Sequence, residues 1–180
     1  MKNQNTKKLA YAALFFALCL VLPMLTGQIP QIGSMLLPMH IPVLLCGLVC
    51  GWQYGAAVGF VAPLLRSVLF GMPPMYPVAI AMAFELLTYG LVIGLVYRRM
   101  AQKGAAGVYA ALLTAMVAGR LVWGVAEVVL LGLGGKVFTA QAFLAGALLN
   151  AVPGIIVQLV LIPAVMAALQ KAGAVKEYAE

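Results

Sequence analysis

Arg66, Glu85, Arg120 and Glu127 each lie inside a long apolar stretch of this 180-residue chain, where an ionised side chain is expensive. Two cations and two carboxylates can do two kinds of chemistry there. They can pair across helices and hold a bundle together. Alternatively they can line a polar recess for a small solute, with an arginine gripping a carboxylate and a glutamate accepting from hydroxyls, amines or a ring amide. Arg120 and Glu127 are seven residues apart, two helical turns, and so share a face. Asn150 and Gln158, eight apart, fall roughly on one side of a later stretch. His40 stands just before a short apolar run, near the entrance that such a recess would have. Tyr76, Phe84, Tyr89, Trp123 and Phe143 offer rings, either for stacking on a solute or for packing.

Catalysis needs a different set. Membrane hydrolases use a nucleophile with a base, or a metal held by histidines and carboxylates. This chain has a single histidine and no aspartate; its only serines, Ser34 and Ser67, have no base near them in sequence. Gly132-Leu133-Gly134-Gly135-Lys136 lacks the spacing and the following Ser or Thr of a nucleotide-binding loop, so the chain is not expected to power transport itself. No bound cofactor is expected. Cys19, Cys46 and Cys50 all fall in apolar segments and read as small buried residues rather than a disulfide or metal site.

The elements that must position these groups are membrane helices. Hydrophobic residues make up 65% of the chain and charged residues 8%, against roughly 25% charged in a soluble domain. A soluble enzyme is therefore excluded. Six spans are expected in one membrane domain, 1–180, at about 9–25, 40–51, 55–70, 76–97, 108–133 and 140–169. The basic run Met1-Lys2-Asn3-Gln4-Asn5-Thr6-Lys7-Lys8 precedes the first span, which is taken as a retained helix and not a cleaved signal. The second span is too short to cross unaided. Trp52-Gln53-Tyr54 reads as a tight turn after it, and Gly71-Met72-Pro73-Pro74 as a break after the third. The net charge of +7 is not gathered into a nucleic-acid groove. With both termini cytoplasmic, Lys2, Lys7, Lys8, Arg98, Arg99, Lys103, Lys171 and Lys176 all fall inside and only Lys136 outside, as the positive-inside rule requires. This is an all-α, six-helix bundle of the plasma membrane.

Small residues recur four apart at Ala13 and Ala17, Gly47 and Gly51, Gly55 and Gly59, and Gly90 and Gly94, a spacing that lets helix backbones approach. Most of these pairs suit packing within the bundle. Ala13 and Ala17, amid Leu14, Phe15 and Phe16, are the better candidates for docking another protein.

Three features then resemble the substrate-binding S component of an energy-coupling factor (ECF) transporter, over essentially the whole chain. The basic N-terminus with Ala13-x-x-x-Ala17 is similar to that family's docking motif. The stretch from Leu37-Pro38-Met39-His40-Ile41-Pro42 to Cys50-Gly51 is similar to the outer loop and short second helix of its riboflavin- and pantothenate-type branch. Gly55-x-x-x-Gly59, leading through Leu64-Leu65-Arg66-Ser67 to Gly71-Met72-Pro73-Pro74, looks like the third helix and its outer loop. The resemblance implies a vitamin-binding subunit that joins a transmembrane coupling subunit and two cytoplasmic ATPases, with ATP hydrolysed by those partners. It also implies an outward cavity between the outer halves of helices four to six, closed over by the loop between helices one and two. On that reading Arg120, Glu127, Glu85 and Asn150 give polar recognition, with Trp123 and Tyr89 beside them and Arg66 and His40 near the entrance; Ala13 and Ala17 dock the coupling subunit. A standalone channel or facilitator, or a structural protein whose buried charges only pair, remains the alternative. Pantothenate, a pyridine or pyrimidine precursor and riboflavin all fit the residues.

Overall fold

A computed structural model of the chain describes residues 2–25, 35–100, 102, 104–135, 137, 139–146 and 151–173. Among the described residues seven α-helices follow one another: α1 (Lys2–Leu25), α2 (His40–Cys50), α3 (Trp52–Phe70), α4 (Ile80–Met100), α5 (Ala105–Leu133), α6 (Ala140–Leu144) and α7 (Val152–Lys171). A single turn, Met75–Ala79, leads directly into α4, with Tyr76 extended at its start (φ −116°, ψ 132°).

Five of these segments are long and apolar enough to cross a bilayer: Gln4–Leu25, Trp52–Phe70, Met75–Met100, Ala105–Leu133 and Val152–Lys171. α2 is not. Its 11 residues rise about 16 Å, half of a roughly 30 Å hydrocarbon core. It survives because protein rather than lipid surrounds nearly all of it: all of its residues but Ile41 are buried, and it packs against α1, α3, α4 and α7. The stretch expected as one span over 140–169 is described as α6 and α7, with 147–150, and therefore Asn150, outside the described residues.

The turn after α2 is tighter than its sequence suggests. Trp52, Gln53 and Tyr54 are the first residues of α3, and Gly51 alone reverses the chain. Its φ of 99° is backbone that a side chain would strain, so the one-residue reversal depends on glycine. α3 then lies back along α2. A Cβ added at Gly55 would collide with the Gly47 backbone and the Gly90 carbonyl, and one at Gly90 with the Gly55 backbone. Three helices thus meet through three glycines at backbone contact, as small residues allow where lipid offers no hydrophobic driving force.

α5 has two faces. Leu113, Val117, Leu121, Val125 and Val128 form an exposed stripe that suits lipid. The opposite stripe, with Ala111, Ala115, Gly119, Gly124 and Glu127, is buried. α7 does the same with Gly154, Gln158, Ile162 and Met166, one residue per turn facing inward. α1 buries Ala12, Phe15 and Cys19 and leaves Ala13, Leu14 and Ala17 exposed, so Phe15 belongs to the core rather than to the exposed bulk expected around the alanines.

Candidate functional site

The segment before α2 brings irregular backbone into the bundle. Leu37 is buried at a positive φ of 51°, rare for any residue but glycine, and its carbonyl accepts from the His40 N–H at 3.0 Å. That turn starts α2 at His40 inside the protein. Non-helical backbone at membrane depth is tolerated where protein surrounds it. Gly154 of α7 packs on the Met35 and Leu36 carbonyls, and Cys19 of α1 donates to the Met39 carbonyl across 3.7 Å, so helices at both ends of the chain hold the segment.

His40 then meets Glu85. Its Nε2 is 3.3 Å from Glu85 Oε1, and Nη1 of Arg120 lies 2.9 Å from the same oxygen. The glycine contacts described above set this meeting, because they draw α4 against α2 and α3 one to two turns from Glu85. Side-chain exposure is 1% for His40, 2% for Glu85 and 13% for Arg120, so three polar groups from α2, α4 and α5 converge in the interior. Tyr89, one turn along α4 from Glu85, sets its ring edge-on to His40 with centroids 5.1 Å apart. Gly119 makes room for that ring, since a Cβ there would strike it. Arg120 lies 5.9 Å from the Trp123 ring centroid, and Trp123 stacks on Phe143 of α6 at 6.0 Å. Gly124 accepts the Phe143 ring as Gly119 accepts Tyr89.

The cluster is incompletely satisfied. Both contacts to Glu85 Oε1 are close, but neither is aligned as a hydrogen bond; Nδ1 of His40 and both Nε and Nη2 of Arg120 are buried without a partner. Gln158, fully buried on the inward face of α7, has neither amide atom paired. Buried polar groups are normally hydrogen-bonded, and one left alone costs about 1–3 kcal/mol, more when charged. Seven such atoms, all but those of Gln158 belonging to one cluster, make these residues the candidate site.

The other expected residues fall differently. Arg66 is buried, donates through Nη1 to the Leu20 carbonyl of α1, and lies 5.3 Å from the Phe70 ring centroid; the ion pairs of the cluster, among the described residues, do not include it. Glu127 is buried on the same face of α5 as Arg120, yet among the described residues it has no ion-pair partner; Arg120 is paired with Glu85 instead. Phe84 is exposed on the outer face of the bundle, edge-on to Phe60. Tyr76 donates its hydroxyl to the Leu130 carbonyl and ties the turn before α4 to the end of α5. Gln158 was noted in the sequence only as Asn150's neighbour in register; its complete burial with both amide atoms unpaired is what raises it to a candidate.

Apolar helices of this length around an interior polar cluster define a multi-pass membrane protein. The family described as "ECF transporter, substrate-specific component" matches residues 7–167, and the chain belongs to it. It is accordingly a multi-pass protein of the plasma membrane that works with other ECF transporter components and a small-molecule substrate. Comparison with curated proteins and with solved structures finds no match.

Proposed function

We propose that this chain is the substrate-specificity subunit of an ECF-type importer of the riboflavin- and pantothenate-type branch, binding a water-soluble vitamin or related micronutrient from outside the cell. α2 counts as the sixth crossing together with the segment that leads into it, and both termini are cytoplasmic. Lys7 and Lys8 lie near the start of α1, Arg98 and Arg99 in the last turn of α4 and Lys171 at the end of α7, which agrees with one basic, cytoplasmic side. The chain itself is not an enzyme and binds no cofactor. A transmembrane coupling subunit docks on Ala13 and Ala17, and two cytoplasmic ATPases hydrolyse the ATP that drives release.

The observation that carries this reading is the set of buried, unpartnered polar atoms on His40, Arg120 and Gln158. A purely structural charge cluster would pair its members fully, because an unmade hydrogen bond in so dry a place only destabilises. Glu127, Trp123 and Tyr89 complete the recognition set, together with Asn150, which lies outside the described residues. Native mass spectrometry of the detergent-purified protein from rich medium tests it. One co-purified small molecule is expected. An empty protein whose thermal unfolding no vitamin shifts would overturn the assignment.

A further inference from the structure

The nitrogens of Arg120 are not equivalent, and their difference defines a ligand chemistry. Nη1 is engaged by Glu85. Nε and Nη2 form the side-on edge of the guanidinium, and both are buried without a partner. That edge presents two parallel N–H donors at the spacing of two carboxylate oxygens, a pairing with geometric as well as electrostatic selectivity. Arg66 offers no such edge to a solute in the cluster, being held by the Leu20 carbonyl and the Phe70 ring.

The surroundings favour an anion at this edge. Glu85 and Arg120 together are neutral. His40 is the first residue of α2, so the positive end of that helix dipole lies at the cluster, unscreened by any side-chain cap. The unpaired Nδ1 of His40 belongs to the same group. A second acid on the solute would instead meet Glu85 or Glu127, whose burial on the Arg120 face makes a further negative charge unwelcome.

Resting on the solute-binding reading above, we infer that the cargo is a monocarboxylic acid whose carboxylate occupies the Nε–Nη2 edge of Arg120, beside Trp123 and the start of α2. The carboxylate supplies the acceptors that the two nitrogens lack. A neutral analogue of the same shape leaves a buried charged edge unmatched, a loss on the order of 100-fold in affinity.

Binding of matched acids and neutral analogues to the purified full chain tests this: pantothenate against pantothenol, nicotinate against nicotinamide and biotin against biotinamide, with riboflavin as a ring compound without a carboxylate. The co-purified molecule is tested in parallel for a carboxyl group by methyl esterification. The expected result is a bound acid, from the panel or co-purified, with its neutral or esterified form on the order of 100-fold weaker. Arg120→Lys, which keeps the charge but not the fork, lowers the acid's affinity by a similar factor. Tight binding of riboflavin or a neutral analogue, or a co-purified molecule lacking a carboxyl, overturns the inference and leaves the solute-binding reading standing. An acid that binds Arg120→Lys as well as the unaltered chain overturns the assignment to Arg120. A protein that carries nothing and binds nothing overturns both. If Arg120→Lys does not fold, the comparison of acid with neutral form on the unaltered chain still decides.

Discussion

α1 and the α2–α3–α4 seam use the same small-residue spacing for opposite ends. At Gly55 and Gly90 the space of the missing side chain is filled by neighbouring backbone, at Gly47 by the Ile93 side chain and the Gly90 carbonyl, and no room is left for even one methyl group. At Ala13 and Ala17 the small residues face outward with Leu14, on a helix whose other face already supplies Phe15 and Cys19 to the core. Small residues four apart therefore say only that something can come close. Burial says whether it is already there, and on α1 it is not.

Substitutions at the two places should separate accordingly. Gly90→Leu is expected to have the largest effect. The new side chain meets the Gly55 backbone, which cannot shift without moving α3, so the cost should exceed about 4 kcal/mol and no monodisperse protein should be recovered by size-exclusion chromatography. Recovery of a folded, solute-binding Gly90→Leu protein would break the comparison from the glycine side. Ala13→Trp with Ala17→Trp should leave thermal unfolding nearly unchanged, within about 0.5 kcal/mol, and solute binding intact, while uptake by cells carrying the partner subunits falls to background. Loss of binding as well would place those alanines in the fold rather than at an interface.

Two further substitutions sharpen the contrast between held and open polar groups. Arg66→Met removes the donor to the Leu20 carbonyl and should destabilise by about 1–3 kcal/mol in thermal unfolding, with solute affinity changed by less than about threefold. A large loss of affinity with unchanged stability would return Arg66 to the binding site. Phe84→Leu should do least, since that ring is exposed and meets only the Phe60 ring in a described aromatic contact; its unfolding should stay within about 0.5 kcal/mol of the parent.

What could be read ahead of the structure follows from which interactions are local. Long apolar runs bounded by basic loops or by Gly and Pro breaks mark α1, α3, α4 and α5 without any tertiary information, and the shortness of α2 is visible in its length. Arg120 and Glu127 share a face, as their seven-residue spacing requires. That Arg120 pairs with Glu85, and His40 with it, depends on how closely α4 approaches α2, and the glycines that set this approach lie on three different helices. Arg66 and Arg120 look alike in sequence, each an arginine in an apolar span. They differ because a carbonyl of α1 accepts from one, while the other's Nε and Nη2 are buried without an acceptor. The helical start at Trp52 was obscured by polar and aromatic residues that suit a turn, because a single glycine at φ 99° performs the reversal.

The half-length of α2 also bears on how the chain enters the membrane during synthesis. Eleven residues bounded by a histidine are a poor substrate for insertion as an independent span. With only Gly51 between them, α2 and α3 can partition from the translocation machinery as one helical hairpin, the longer arm carrying the shorter. The nascent protein would then have to hold α2 unplaced until Phe70 has been made. Its final depth would be fixed later still, when the Gly90 turn of α4 arrives to close the seam.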